Sequence, residues 1–230
     1  MAKLSGREKQ IVDERIKKIE KLRGDGVNPY PSIFKDYKKR VHAKDVLEEF
    51  SKLKKEEDSK KERILAGRIM TKRSFGKLSF FTLQDISGVI QIIVQKGKSP
   101  EEVVSTFKKI DSGDVVGVRG GVVKTKNGEL SLLANEISIL TKSILPLPDK
   151  HKGLKGAEEK LRKRYLDIIM APEVKELFIK KQKFWSSFRN FLVKRGFLEV
   201  ETPILEISAG GASATPFSTH HNALDIDVFL

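Results

Sequence analysis

Three side chains in the middle of the chain, Phe80, Gln91 and Glu129, are of the types needed to hold and read a nucleobase. A phenylalanine ring is a face on which a base can stack, a carboxamide can read a base edge, and a carboxylate adds an acceptor. Arg68, Lys72, Arg73, Lys77, Lys124 and Lys126 lie near them in sequence and are available to a phosphodiester backbone. Taken singly, each residue has an ordinary reading: a lone strand Phe is core more often than platform, and a lone surface Glu is usually just solvated. Their chemistry matters only if one set of elements brings them to a common face.

The pattern from Arg63 onward supplies such a set. The apolar period becomes two in the runs RILAGRIM, LSFFTLQD, GVIQIIV, DVVGVRGGVV and ELSLLANEISIL. Turns separate them at SFGK (74–77), ISG (86–88) and KNGE (126–129), where Asn127-Gly128 is a strong hairpin signal. Between the third and fourth runs SPEEVVSTFKKI predicts a helix, with Ser99 as N-cap, Pro100 in the first helical position and Glu102 completing a capping box. Five strands with one helix after the third is the order of an OB-fold, a small barrel whose outer face binds oligonucleotides; an SH3-like barrel or an unrelated sheet is the alternative. Within LSFFTLQD the alternation puts Phe80, Thr82 and Gln84 on one side and Phe81, Leu83 and Asp85 on the other, so one aromatic of the pair faces outward.

Composition points the same way. The 230 residues carry 45 Lys and Arg against 31 Asp and Glu, a net charge of +14 that suits a polyanionic partner, with a solubilising surface as the bland alternative. The barrel segment 63–145 has the largest excess, 13 basic against 7 acidic residues. There is no cysteine, which excludes disulfides and thiolate chemistry and fits a reducing compartment, with the cytoplasm as the default. No stretch approaches the roughly 20 apolar residues of a membrane span.

Residues 1–62 read as a basic helical extension, with Ile11, Val12, Ile16, Ile19 and Leu22 on one helix and Val46, Leu47, Phe50 and Leu53 marking a second. The charge run KLKKEEDSKKE after it reads as a solvated face or linker, and PLPDKHKGLKG (146–156) as a second linker. RYLDIIM is a short helix or turn. Pro172 then opens a long helix with an aromatic stripe that includes Phe184, Trp185 and Phe188; Gly196 ends it, and RGFLEVETPIL continues as a strand closed by Pro203. His220 and His221 lack the spacing of a metal site, and Asp225 and Asp227 alternate along an expected strand.

The blocks GRIMTKRSFGKLSFFTLQD, GVIQIIV, TKNGELSLLANEISILTKSILPLPDK, RKRYLDIIM, RGFLEVETPIL and GGASATPFSTHHNALDIDVFL, in this order, resemble those of lysyl-tRNA synthetases, class II enzymes, over residues 63–230. The resemblance implies an α+β chain: the helical N-terminal extension, a five-stranded OB-fold β-barrel over 63–145 that binds the anticodon, the linker, and over 157–230 the start of a class II antiparallel catalytic domain with its motif 1 helix and strand. It implies that Phe80 stacks a uridine, that Gln91 and Glu129 read bases, and that Arg73 helps hold the loop, with Lys72, Lys77, Lys124 and Lys126 on phosphates. It implies a homodimer through motif 1, carried here by Phe184, Phe188, Gly196, Phe197 and Pro203, and a lysine pocket bordered by Gly210 and Gly211. The family's usual GGAAARPF reads GGASATPF here, with Ser213 and Thr215 in place of Ala and Arg. The complete enzyme would use ATP and Mg²⁺ to activate lysine and transfer it to tRNA. The motif 2 arginine and the glycine-rich motif 3 do not occur before Leu230, so the chain alone is expected to hold no ATP or Mg²⁺, to have no catalytic residues, and not to be active. The alternative is a stand-alone tRNA-binding or assembly fragment.

Overall fold

The computed structural model of the protein describes residues 5–148, 153–154, 156–210 and 214–230. The chain divides into two compact units, residues 1–153 and 154–230. Of the linker expected over 146–156, residues 149–152 and 155 lie outside the described residues.

The first unit is built on a closed barrel of five strands: β1 (Asp58–Phe75), β2 (Leu78–Gln84), β3 (Val89–Gln95), β4 (Val115–Lys124) and β5 (Leu130–Thr141), in the order β1-β2-β3-β5-β4. All pairings are antiparallel except β3 with β5, where Gln91, Ile92 and Ile93 run parallel to Ser131, Leu132 and Leu133. β1 starts earlier than the period-two pattern predicts: Asp58 pairs with Val123 across an irregularity that ends at Glu62, so part of the charge run is an exposed strand extension. Alternation fills the interior with Leu65, Ile69, Phe81, Leu83, Ile90, Ile92, Val116, Val118 and Leu132, each 2% exposed or less. At the β4–β5 pairing a side chain on Gly120 would put its Cβ 2.2 Å from the carbonyl oxygen of Leu133, a separation only glycine permits.

Helices close the barrel's ends and sides. α1 (Gly6–Gly24) starts with a reciprocal capping box between Ser5 and Glu8. Its Arg15, almost wholly buried, donates to the carbonyls of Ser112 (2.8 Å), Ser143 (2.9 Å) and Leu145 (3.0 Å), which staples the helix to the barrel. α2 (Ala43–Glu49) buries Val46 in the barrel core. α3 (Glu101–Lys109), between β3 and β4, starts one residue later than its sequence predicts. Pro100 is the cap, in extended backbone, because the Ser99 hydroxyl is already taken by the amide of Gln95 at 3.2 Å in the preceding turn.

Beneath α3 lies a charged cluster inside the unit. The fully buried Lys142 ammonium donates to the Lys109 carbonyl (2.9 Å), to Asp111 (2.9 Å) and to the fully buried Asp114. Asp114 also accepts the amides of Asp111 (2.7 Å) and Ser143 (2.8 Å). Burial pushes the Asp111 carboxyl up, but hydrogen bonds from Lys142 and Lys18 outweigh it and hold the group below the usual carboxylate range. Lys72 points into the same region: its Nζ donates to the carbonyls of Phe107 (2.6 Å) and Ile110 (2.7 Å) and lies 4.3 Å from the centre of the Phe107 ring. Burial lowers its ammonium from 10.5 to about 8 against the raising pull of Asp111. Through that window the unfolded chain keeps a proton that the folded chain loses, so stability rises with pH there. Urea melts across the window should find this rise in the wild type and its loss in Lys72→Met; parallel curves would refute it.

The second unit contains α4 (Ala157–Arg162), α5 (Arg164–Met170), α6 (Pro172–Val193) and a hairpin of β6 (Ser218–His221) with β7 (Ile226–Phe229). Pro172 occupies the first turn of α6, and Gly196, at φ +83°, makes the left-handed turn after it. The stretch after Gly196, expected as a strand, reaches Pro203 with no ladder partner among the described residues, and a strand without a partner has no regular hydrogen bonds. Asp225 lies not in a strand but in the β6–β7 turn, at φ +53°. There it and Asp227 meet His220, at 3.3 Å from Nε2 and 2.9 Å from Nδ1.

Candidate nucleic-acid interface

Strand register sorts the barrel's outer face into transverse rows, because residues opposite one another on paired strands share a face. Thr71, Thr82, Gln91 and Ser131 form a polar row across β1, β2, β3 and β5. Two residues along, Arg73, Phe80, Ile93 and Leu133 form the next. Lys72 is opposite Phe81 and therefore shares the interior face. Successive residues of β1 and β2 thus have opposite duties: Arg73 and Phe80 look out, Lys72 and Phe81 look in.

The outer rows open into a cavity of about 360 Å³ lined by Arg73, Phe75, Phe80, Gln91, Asn127 and Glu129, among others. All four residues expected to bind the anticodon, Phe80, Gln91 and Glu129 on its bases and Arg73 on its loop, stand around this one space. Phe80 is half-buried, with the exposed Phe75 against it edge-on at 6.3 Å between ring centres. Packing on one side fixes the Phe80 ring and leaves it a flat wall for a base. Gln91 donates to the Ser131 hydroxyl at 3.3 Å, which orients its amide. The Thr71 and Thr82 hydroxyls, 2.8 Å apart, complete the polar floor. Glu129 is held by the β4–β5 turn: its amide donates to the Thr125 hydroxyl (3.0 Å) and its carbonyl accepts the Thr125 amide (2.9 Å), with Gly128 at φ +87°. A stacking wall, an amide, a carboxylate and a guanidinium around one cavity can take a planar heterocycle with donors and acceptors on its edge, attached to an anion.

The expected phosphate contacts divide. Lys77 and Lys126 are exposed on the two hairpin turns beside the cavity. Lys72 is not available, being turned inward onto the last carbonyls of α3. Lys124 is engaged as well: its Nζ donates to the carbonyls of Leu53 (2.8 Å) and Ser51 (3.3 Å), closing the loop after α2 over the barrel. Arg68 donates to the Gly113 carbonyl at 2.7 Å. In each case the backbone carbonyls of covering segments take the cation, and strand periodicity carries no information about what covers a strand. Phe75, Asn127 and the two threonines were missed. The first two sit in segments legible only as turns, and a threonine in a strand is too common to stand out.

Elsewhere, Gly210 is described, with nothing within 4 Å of where a Cβ would be; Gly211 and Ser213 lie outside the described residues. Phe184, Trp185 and Phe188 form an edge-to-face ladder on α6, with ring centres 5.4 and 6.3 Å apart. All three rings are more than half exposed, as is Phe197. Among the described residues no helix is long and apolar enough to cross a membrane.

Residues 64–140 match a family model for an OB-fold nucleic acid binding domain, and residues 156–230 one for class II tRNA synthetases (D, K and N). The chain is 46% identical over 216 residues to a lysine–tRNA ligase of Shouchella clausii, covering 93% of this chain and 42% of the relative. It is 45% identical to that of Halalkalibacterium halodurans (94% and 43%) and 42% identical to that of Dehalococcoides mccartyi (97% and 44%). The chain thus spans less than half the length of these curated relatives.

Proposed function

We propose, from the premise that this chain belongs to the lysyl-tRNA synthetase family and corresponds to the N-terminal portion of its members, that its barrel binds a lysine-accepting tRNA by the anticodon. The observation that carries this is the convergence of Phe80, Gln91, Glu129 and Arg73 on one cavity of an OB-fold. A uridine entering it would stack on Phe80, present its edge to Gln91 and Glu129, and leave its phosphate to Arg73 and the exposed Lys77 and Lys126. Burial of Gln91 beside Ser131 is what makes identity matter: a base that cannot satisfy the amide leaves it unpaired in a half-buried site, at a cost of about 1–3 kcal/mol.

With the rest of a family member, the same chain would take part in activating lysine with ATP and Mg²⁺ and transferring it to tRNA, in the cytoplasm. Among the described residues no group of three or more His, Asp or Glu side chains is placed to hold a metal ion. Gly210 and Gly211 would border the lysine pocket. The exposed aromatics of α6, with Gly196, Phe197 and Pro203 after it, would meet a second copy as motif 1, and that apolar ladder supports an intersubunit role over a solvated one.

Titration of the chain against a lysine tRNA transcript, and against the same transcript with its anticodon uridines replaced, at one moderate salt concentration, tests the proposal. Binding that falls at least tenfold on replacement supports an anticodon reader. Equal binding would reduce the barrel to a basic surface.

A further inference from the structure

Gln91 can read a base only if its amide has a fixed sense. A carboxamide presents an acceptor and a donor side by side, and half a turn about its last side-chain bond exchanges them at little cost when nothing holds it. The two pyrimidines differ in that same sense: uridine offers an N3–H donor beside a carbonyl acceptor, cytidine an N3 acceptor beside an amino donor. With the base placed by the ring it stacks on and the backbone it hangs from, a freely turning glutamine would accept either. Stacking does not separate them, because every base has a π-face.

One hydroxyl holds the amide. Ser131 is fully buried, and its Oγ has two partners, Gln91 Nε2 at 3.3 Å and the Glu129 carbonyl oxygen at 3.3 Å. A carbonyl oxygen can only accept, so the single hydroxyl hydrogen goes to Glu129, and Ser131 meets Gln91 with lone pairs alone. It therefore requires the N–H side of the amide. That sets Nε2 against Ser131 and leaves Oε1, with the second amide hydrogen, for the cavity that Gln91 lines. The far end of this chain is anchored without the hydroxyl: the Glu129 carbonyl also accepts the Thr125 amide at 2.9 Å. No other hydrogen bond among the described residues reaches the Gln91 side chain, since the neighbouring Thr71 and Thr82 hydroxyls, 2.8 Å apart, serve each other. Turning the amide over would bring Oε1 against those lone pairs, unless the hydroxyl swung round and gave up Glu129. Both arrangements have at least one hydrogen bond fewer.

We infer that Ser131 is a positioning residue for specificity, which fixes the sense of the Gln91 amide so that the barrel takes uridine over cytidine at the stacked position. The inference rests on the anticodon reading above. Being fully buried, Ser131 touches no RNA and acts through Gln91. The locked sense gives the uridine N3–H an acceptor, and cytidine could be served only by the turned amide. The net worth of one hydrogen bond sets the size of the effect, about 2- to 10-fold in the preference between the two pyrimidines.

The test titrates the chain with an RNA hairpin that carries the anticodon arm of a lysine tRNA, each anticodon uridine being exchanged for cytidine in turn. The exchange at the stacked position should weaken binding, and Gln91→Ala should remove that penalty, which identifies the position. Ser131→Ala should shrink the penalty about 2- to 10-fold, chiefly by tightening the cytidine complex, because the released amide can turn to meet it. Uridine binding should fall about twofold, as the released amide has two senses open to it. A residue that only supports the fold would weaken both RNAs alike. Ser131→Thr, which keeps a hydroxyl, should keep the preference, and Ser131→Ala made on top of Gln91→Ala should change nothing further. Ser131→Cys, of similar size but with a weak acceptor, should relax the preference as alanine does and serves if the alanine variant does not fold. Equal weakening of both hairpins, or an unchanged preference in a folded variant without the hydroxyl, overturns the positioning role. In that case a penalty that still depends on Gln91 leaves the anticodon reading standing; a penalty indifferent to Gln91→Ala, or none at all, takes both down.

Discussion

Replacing Lys142 with methionine should lower the stability of the barrel unit by about 3–5 kcal/mol, the typical cost of removing one partner of a buried ion pair. The ammonium is fully buried, and so is its partner Asp114, whose remaining hydrogen bonds come from two backbone amides. Methionine fills similar volume, so the loss would be electrostatic: two carboxylates, Asp111 and Asp114, would face one another without their shared cation. A second replacement, Asp114→Asn, made on top of the first should cost less than it does alone, since it removes the uncompensated charge. Urea unfolding followed by circular dichroism measures both, and a single variant within 1 kcal/mol of wild type would mean that the pair is not buried as described.

Phe80 and Phe81 should respond to the same substitution in opposite ways. Phe81 is 1% exposed and packs on Phe107 with ring centres 6.2 Å apart. Phe81→Ala should therefore cost about 3–5 kcal/mol of folding stability through the cavity it leaves. Phe80→Ala removes a half-buried wall, so it should cost far less stability but weaken tRNA binding by about 1–3 kcal/mol, the worth of one stacked base. Unfolding curves and tRNA titrations on both variants separate these effects. An unchanged tRNA affinity in a folded Phe80→Ala protein would remove the stacking role.

That contrast marks what the amino-acid pattern could and could not convey. Period-two alternation in LSFFTLQD separates the two rings, and Asn127-Gly128 announces the turn that carries Glu129. Five strands with one helix after the third have one common closure, and the barrel adopts it. The cations were harder to place. Lys72 and Arg73 are neighbours with opposite fates, decided by register across β1 and β2, where an irregularity between Ile69 and Thr71 shifts the phase. Lys124 and Arg68 are claimed by carbonyls of segments distant in sequence, which no local pattern reports. The stretch after Gly196 reads as a strand because its composition suits one, but a ladder needs a partner, and the described residues provide none there.

The parallel pairing of β3 with β5 joins Gln91 to Ser131 across forty residues. Bringing such distant segments together costs loop entropy before any contact repays it, so the seam where β3 meets β5 closes late in folding, after the local β1–β2 and β4–β5 hairpins. The polar row crosses that seam. A nascent or partly folded chain would already display most of its positive charge and could adhere to any RNA, yet it would acquire the power to tell one base from another only once β3 and β5 have met.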